Sequence, residues 1–135
     1  MSQYKYPCEY SYEAFVQQTV EEYFFQSGFD LIEGKERGYT DIVARNSLGK
    51  EWFVEVKGKT SAPGLDLKTA VGQIARRIDR EGANYAIAVP RTAAYIKQAQ
   101  QLSAYYRRQT NLFIMLVDET GHIEISTPED EIEPN

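Results

Sequence analysis

Two patterns of hydrophobic positions divide the chain into predicted helices and strands. Hydrophobic residues recur at helical spacing in three segments, which predicts helices over residues 12–26, 66–80 and 92–109. Short runs rich in β-branched and aromatic residues predict strands over residues 29–33, 39–45, 51–57, 84–89, 112–117 and 122–126. The predicted order is therefore α-β-β-β-α-β followed by α-β-β.

This order predicts an α/β fold with a mixed sheet. A three-stranded meander followed by β-α-β pieces places helices on both faces of the sheet. The run 84–89 is apolar throughout, as is typical of a central strand covered on both sides. We predict one domain over residues 1–126. Residues 127–135 are rich in acids and prolines, and we predict an acidic, poorly ordered tail there.

The segment 39–57 carries the candidate chemistry. Its two strands are joined by a short loop ending at Gly49, which can adopt the positive φ of a tight turn. With a three-residue loop, Asp41 faces Glu55 across an antiparallel pair, where opposed Cβ atoms are about 5 Å apart. Side chains alternate along a strand, so Lys57 lies on the same face as Glu55, about 7 Å further along.

Two opposed carboxylates destabilise a hairpin unless something neutralises their charge. A divalent cation can do so, and Mg²⁺ is typically held by one or two carboxylates together with substrate phosphate oxygens. A neighbouring lysine can orient or deprotonate a water, or stabilise charge that develops at phosphorus. We therefore hypothesise a metal-dependent phosphodiesterase centre at Asp41, Glu55 and Lys57. The alternative is that Glu55 and Lys57 belong to the solvated face of an amphipathic strand.

The charge distribution permits a nucleic-acid ligand despite the net charge of −5. All fifteen Lys and Arg residues lie within residues 1–117, whereas seven of the twenty acids follow residue 117, so the body carries a net charge of +2. For each basic group, the alternative to binding a phosphate is that it belongs to an ordinary solvated surface. The candidate phosphate contacts are Lys59, Thr60, Lys97, Arg107 and Arg108.

The rest of the composition narrows the chemistry and the compartment. The single histidine, His122, argues against paired-histidine nucleases, histidine-based zinc sites and a Ser-His-Asp triad. Cys8 has no partner for an internal disulfide. No apolar run is long enough for a membrane span, and the N-terminus lacks the apolar segment of a signal peptide. We therefore expect a cytoplasmic protein that does not bind membranes.

Residues 12–90 resemble the PD-(D/E)XK nuclease superfamily, which includes restriction enzymes, archaeal Holliday-junction resolvases and Mrr-like endonucleases. Thr40-Asp41 stands where the family has Pro-Asp, and Glu55-Val56-Lys57 stands where it has (Asp/Glu)-X-Lys. Gln73 occupies the place of a glutamine that many members carry in the next helix. Many members also have a glutamate in the first helix. Here that position is Gln17, and the residues one turn away that could substitute are Glu13 and Glu21.

The resemblance implies a restriction-endonuclease-like fold and hydrolysis of DNA phosphodiester bonds by an endonuclease, often a homodimer. By this resemblance Asp41, Glu55 and the carbonyl of Val56 hold Mg²⁺ or Mn²⁺. Lys57 activates the attacking water and Gln73 orients groups around the site. Gln17 in place of glutamate removes one possible contact to a second ion. The alternative function is a catalytically inactive module of the same fold that binds protein or nucleic acid.

Overall fold

A computed structural model of the chain describes residues 9–133. The helices are α1 (Glu13–Gln26), α2 (Pro63–Ala75), α3 (Ala93–Gln100) and α4 (Ala104–Thr110). The strands are β1 (Asp30–Leu31), β2 (Ile42–Arg45), β3 (Glu51–Val56), β4 (Asn84–Pro90), β5 (Leu112–Val117) and β6 (Ile123–Ser126). Within these residues, no helix is both long and apolar enough to cross a membrane.

The six strands form one mixed sheet in the order β1-β2-β3-β4-β5-β6. The β3–β4 and β4–β5 pairs are parallel, and the other three are antiparallel. The helix α1 packs on one face through Val16, Val20 and Phe24. On the opposite face, α2 and α3 contribute Leu67, Ala70, Ile74, Tyr95, Ile96 and Ala99. The mixed α/β architecture with helices on both faces is therefore confirmed.

The β2–β3 hairpin has the predicted register. Ile42 pairs with Val54 and Arg45 pairs with Glu51, so position 41 continues opposite position 55. Gly49 has φ +81°, a conformation that favours glycine, and its N–H donates to the carbonyl of Asn46 at 3.0 Å. Loop length and turn chemistry fix the register, and the register determines which side chains meet at the open end of the hairpin.

Three predicted boundaries are wrong for local reasons. The helix predicted over 66–80 runs instead from Pro63 to Ala75, and it begins at Pro63 because a proline suits the first helical turn, where its missing N–H costs nothing. The helix predicted over 92–109 is two helices, and the Ser103 side chain accepts from Tyr106 N to start the second. The strand predicted over 29–33 is reduced to the two residues of β1.

Residues 127–133 are not the unattached tail that their composition predicts. Ile132 is 8% exposed and belongs to the core on the α2–α3 face. Its carbonyl accepts from Gln100 Nε2 at 2.9 Å, which attaches the segment to α3. One buried apolar side chain and backbone hydrogen bonds thus outweigh the acidic composition. Residues 134 and 135 of the predicted tail lie outside the described residues.

Candidate functional site

The first residues of α1 lie against the chain just after β3. A Cβ placed on Gly58 would be 2.1 Å from the backbone nitrogen of Glu13, so only glycine allows this approach. Lys59 N donates to the carbonyl of Ser11 at 2.8 Å, and the Tyr95 hydroxyl donates to the carbonyl of Gly58 at 2.7 Å. Burial raises the pKa of Tyr95, which keeps this donor protonated. These contacts bring the start of α1 beside the end of β3.

Asp41 and Glu55 form an acid pair at the open end of the β2–β3 hairpin. Asp41 Oδ2 accepts from the backbone N–H of Val56 at 2.8 Å. Glu55 is only 3% exposed. Burial, a hydrogen bond to Asp41 and the charge of Asp41 raise the pKa of Glu55 to about 8, although Lys57 and Arg77 oppose the shift. The solvated-face alternative for Glu55 is therefore wrong, because α2 covers this side of the strand.

Lys57 is half-buried and follows the pair on β3. Its charge partly opposes the rise in the pKa values of both Glu55 and Glu13. Among residues 9–133 its ammonium group has no hydrogen bond or ion pair, so its position and donors are available to a bound group. A charged donor beside two carboxylates is the arrangement that the hairpin spacing predicts.

The first helix contributes Gln17 and Glu13 in different ways. Gln17 Nε2 donates to the carbonyl of Asp41 at 3.1 Å and to Glu21 Oε2 at 3.2 Å. The first of these bonds holds the backbone of Asp41, a candidate metal ligand, against α1. Burial and the charge of Asp41 raise the pKa of Glu13. Of the two acids considered as substitutes for a glutamate at position 17, Glu13 is thus the one coupled to the pair, whereas Glu21 contacts Gln17.

The donor set fits a hard divalent cation held by few protein ligands. No group of three Asp, Glu, His or Cys side chains within residues 9–133 is arranged to hold a metal ion. The two carboxylates of Asp41 and Glu55 match the one or two that Mg²⁺ typically takes from protein, with water and phosphate oxygens completing its shell. Val56 supplies a backbone N–H to Asp41, and the metal-binding role of its carbonyl stays a prediction.

On the α2 side, Glu55 lines a cavity of about 300 Å³. Gln73, an exposed residue of α2, lines the same cavity as Glu55, and its role at the acid pair stays a prediction. Arg77 also lines it and donates through Nε to the hydroxyl of Thr40, and through its terminal nitrogen to the carbonyl of Arg37. Arg77 thereby ties the segment before β2 to the end of α2.

Sequence reasoning missed Arg77 and its neighbour Arg76, which lines the cavity too. A signal was present, because positions 73, 76 and 77 have i, i+3, i+4 spacing within the predicted helix 66–80, although α2 itself ends at Ala75. The three other missed residues, Lys35, Gly38 and Tyr39, lie in the loop before β2, which begins at Ile42 and not at the predicted position 39. A loop has no periodicity that could have assigned them to the site.

Four of the five predicted nucleic-acid contacts lie at or near the surface. Lys59, Lys97 and Arg108 are exposed, and Lys59 Nζ lies 5.4 Å from the centre of the Tyr12 ring. The hydroxyl of Thr60 accepts from Ala62 N at 3.2 Å and shapes the turn before α2. Their contact with nucleic acid stays a prediction.

Arg107 is not available to a phosphate backbone, contrary to the prediction. It is 3% exposed, and its guanidinium donates to the carbonyls of Ser126, Thr127 and Asp130 at 3.1, 2.8 and 3.0 Å. The break between α3 and α4 turns this side chain inward, where it satisfies backbone acceptors of the C-terminal segment.

No family model matches the sequence, and no curated protein matches it. Among solved structures, the chain is similar to the crystal structure of an XisH family protein from Nostoc punctiforme. The TM-score is 0.57 with 18% sequence identity, and the alignment covers 83% of this chain and 97% of that chain. The likeness concerns the fold, and together with the strand order it confirms the restriction-endonuclease-like architecture.

Proposed function

We propose that this protein is a metal-dependent endonuclease of the PD-(D/E)XK type that hydrolyses phosphodiester bonds in DNA. The observation that carries the proposal is buried Glu55, hydrogen-bonded to half-buried Asp41, with Lys57 beside them. Burying an acid beside a second acid is unfavourable for stability, and groups perturbed in this way concentrate at functional sites. The fold shared with the XisH family structure is compatible with this chemistry.

In this proposal, Asp41 and Glu55 hold Mg²⁺ or Mn²⁺ together with the Val56 carbonyl. The bound cation supplies Lewis-acid polarisation of the scissile phosphate. Lys57 holds the attacking water and donates to phosphate oxygens as negative charge builds there. Gln73 orients the phosphate from the α2 side. Gln17 keeps the backbone of Asp41 in place through its bond to the carbonyl, which makes it a positioning residue.

A second candidate function is a non-catalytic binding module of the same fold. It is favoured by Gln17, which puts an amide where many nucleases of this type have a glutamate. It is also favoured by the small number of candidate metal ligands, since no group of three Asp, Glu, His or Cys side chains within residues 9–133 is arranged to hold a metal ion. In that case the acid pair is a remnant, and the protein acts through a protein or nucleic-acid partner. We further propose, as the resemblance implies, that the active form is a homodimer with one site for each strand, acting in the cytoplasm.

The test is cleavage of a panel of labelled substrates with Mg²⁺ or Mn²⁺. The panel contains supercoiled plasmid, linear duplex, single-stranded DNA, a flap, a four-way junction and single-stranded RNA. We expect metal-dependent cutting of at least one DNA substrate, reduced about 100-fold or more in Asp41→Asn and Lys57→Ala. The control is Lys68→Ala, an exposed lysine of α2 that does not line the cavity.

Equal residual cutting by the wild type, Asp41→Asn and Lys57→Ala would assign the activity to a contaminant and refute the proposed site. No cutting of any substrate, with no Mn²⁺ binding, would favour the non-catalytic module. Sedimentation of the free protein and of its DNA complex tests the homodimer, since a monomer in both states contradicts it.

A further inference from the structure

The cavity on the α2 side of Glu55 is rich in positive charge. Three basic side chains line it, Lys35, Arg76 and Arg77, and Glu55 is the one acid among its described lining residues. Even with Glu55 ionised, the lining carries a net positive charge. A concave, partly enclosed site of one sign concentrates ligands of the opposite sign.

Two of these cations have no counterion in the part of the chain that is described. Neither the Lys35 nor the Arg76 side chain forms an ion pair or hydrogen bond among residues 9–133. Nearby arginines behave differently, since Arg45 pairs with Glu51 at 2.7 Å and Arg80 pairs with Asp79 at 2.9 Å. The surroundings thus offer acids to other cations, but leave these two facing the cavity.

Arg77 has another role in the same place. Its guanidinium is fixed by Thr40, by the carbonyl of Arg37 and by packing over the Phe53 ring at 5.2 Å. A Cβ at Gly38 would lie 3.2 Å from its terminal nitrogen, so the loop is closely fitted around it. Arg77 therefore shapes the wall of the cavity and positions the loop, whereas Lys35 and Arg76 are free to bind a ligand.

Tyr39 identifies which kind of anion suits the cavity. Its side chain is 93% exposed although it lines the same cavity, next to Thr40. An exposed aromatic ring beside unpaired cations is suited to a nucleotide chain, because the ring can stack on a base while the cations bind the backbone. A free inorganic phosphate has no base that could stack on the ring.

We propose that this cavity is a phosphate subsite for the nucleic-acid backbone, in which Lys35 and Arg76 bind the phosphate adjacent to the one cut at Asp41, Glu55 and Lys57. Glu55 belongs to both places, since it lines the cavity and is hydrogen-bonded to Asp41, so an extended backbone can occupy them together. Tyr39 stacks on the nucleotide that joins the two phosphates. The assignment of the cavity to substrate rests on the proposed function, but binding of nucleic acid there does not need the metal.

The experiment measures binding without cleavage. The protein carries Lys57→Ala, the buffer contains EDTA, and a fluorescent single-stranded oligonucleotide is titrated by anisotropy at several salt concentrations. Adding Lys35→Ala and Arg76→Ala should weaken binding at least 10-fold and reduce the slope of log K against log salt by about 1. Adding Tyr39→Ala should weaken binding with no change in that slope. Adding Lys68→Ala is the matched control and should change neither quantity.

Equal affinities for the Lys35→Ala/Arg76→Ala protein and the Lys68→Ala control would overturn the proposal, as would no binding of DNA at all. The proposal would also be overturned if inorganic phosphate displaced the labelled oligonucleotide as effectively as unlabelled oligonucleotide does at the same concentration. The cavity would then be a simple anion site. Thermal melting of each variant shows whether it is folded. If the Lys35→Ala and Arg76→Ala substitutions weaken DNA binding but the wild type cuts no substrate, the subsite is supported and the nuclease activity is refuted. Cutting that is unaffected by both substitutions would refute only the subsite.

Discussion

Asp41 and Glu55 stand opposite each other at the open end of the β2–β3 hairpin, and their carboxyl groups are hydrogen-bonded while Glu55 is almost fully buried. The raised pKa of Glu55 favours its neutral, protonated form, which removes the repulsion that two charges would cause. A divalent cation can replace that proton and satisfy the same oxygens. These are the oxygens that would hold the divalent cation in the function we propose.

Glu55→Gln should stabilise the metal-free protein at high pH. An unfolded glutamate releases its proton near pH 4.5, whereas the folded one holds it to about pH 8. Between these values the folded state binds more protons, so stability falls as the pH rises. The Gln amide can donate to Asp41 as the protonated acid does, without ionising. We expect the free energy of unfolding of Glu55→Gln, relative to that of the wild type, to be higher at pH 9 than at pH 5 by an amount on the order of 3 kcal/mol.

Urea denaturation in EDTA at pH 5, 7 and 9 measures this effect. The control is Glu81→Gln, which removes an exposed acid and should show no comparable dependence on pH. An equal effect of Glu55→Gln at all three values would mean that the glutamate is not protonated in the folded protein.

Gly58→Ala should destabilise the protein and displace the start of α1. The added Cβ would meet the backbone of Glu13 at 2.1 Å, and backbone cannot move as a flexible side chain can. We expect a loss of about 2 to 4 kcal/mol by urea denaturation.

Gly72→Ala is the matched control for Gly58→Ala. An alanine there would have nothing within 4 Å in the middle of α2. It should stabilise the protein by about 0.5 to 1 kcal/mol, because alanine favours a helix. Similar effects of the two substitutions would contradict the close packing of α1 on Gly58.

Arg107→Ala should destabilise the protein although residue 107 is charged and lies on a short helix. Removing the guanidinium leaves the carbonyls of Ser126, Thr127 and Asp130 without their donor. We expect a loss of about 2 to 4 kcal/mol, whereas Arg108→Ala, next to it and exposed, should stay within about 0.5 kcal/mol. Faster proteolysis after residue 126 in Arg107→Ala would confirm the cause, and equal stability of the two variants would contradict it.

The sequence predicts the hairpin and the placement of its acidic and basic side chains because both depend on local rules. The loop ending at Gly49 fixes the register, and the alternation of side chains places Asp41, Glu55 and Lys57 together. The helical spacing of α2 similarly places Gln73 on the cavity that Glu55 lines. These inferences need neither loop coordinates nor distant contacts.

The remaining features depend on tertiary packing that no local pattern encodes. Glu55 is buried because α2 covers the face that alternation alone predicts to be solvated. Arg107 points inward because Ser103 starts a new helix, and Ile132 is buried inside an acidic segment because α3 lies beside it. Lys35 and Tyr39 reach the cavity through a loop, where spacing carries no information.

Calorimetric titration of Mn²⁺ into the wild type and Asp41→Asn at pH 7, in two buffers of different ionisation enthalpy, tests whether the acid pair binds a metal ion. We expect the wild type to bind Mn²⁺ with release of about one proton, because a pKa of about 8 for Glu55 favours its protonated form at pH 7 in the free protein. In Asp41→Asn, both the binding and the proton release should be lost. Equal binding by the two proteins, or binding with no proton release, would contradict a metal site at the Asp41–Glu55 pair.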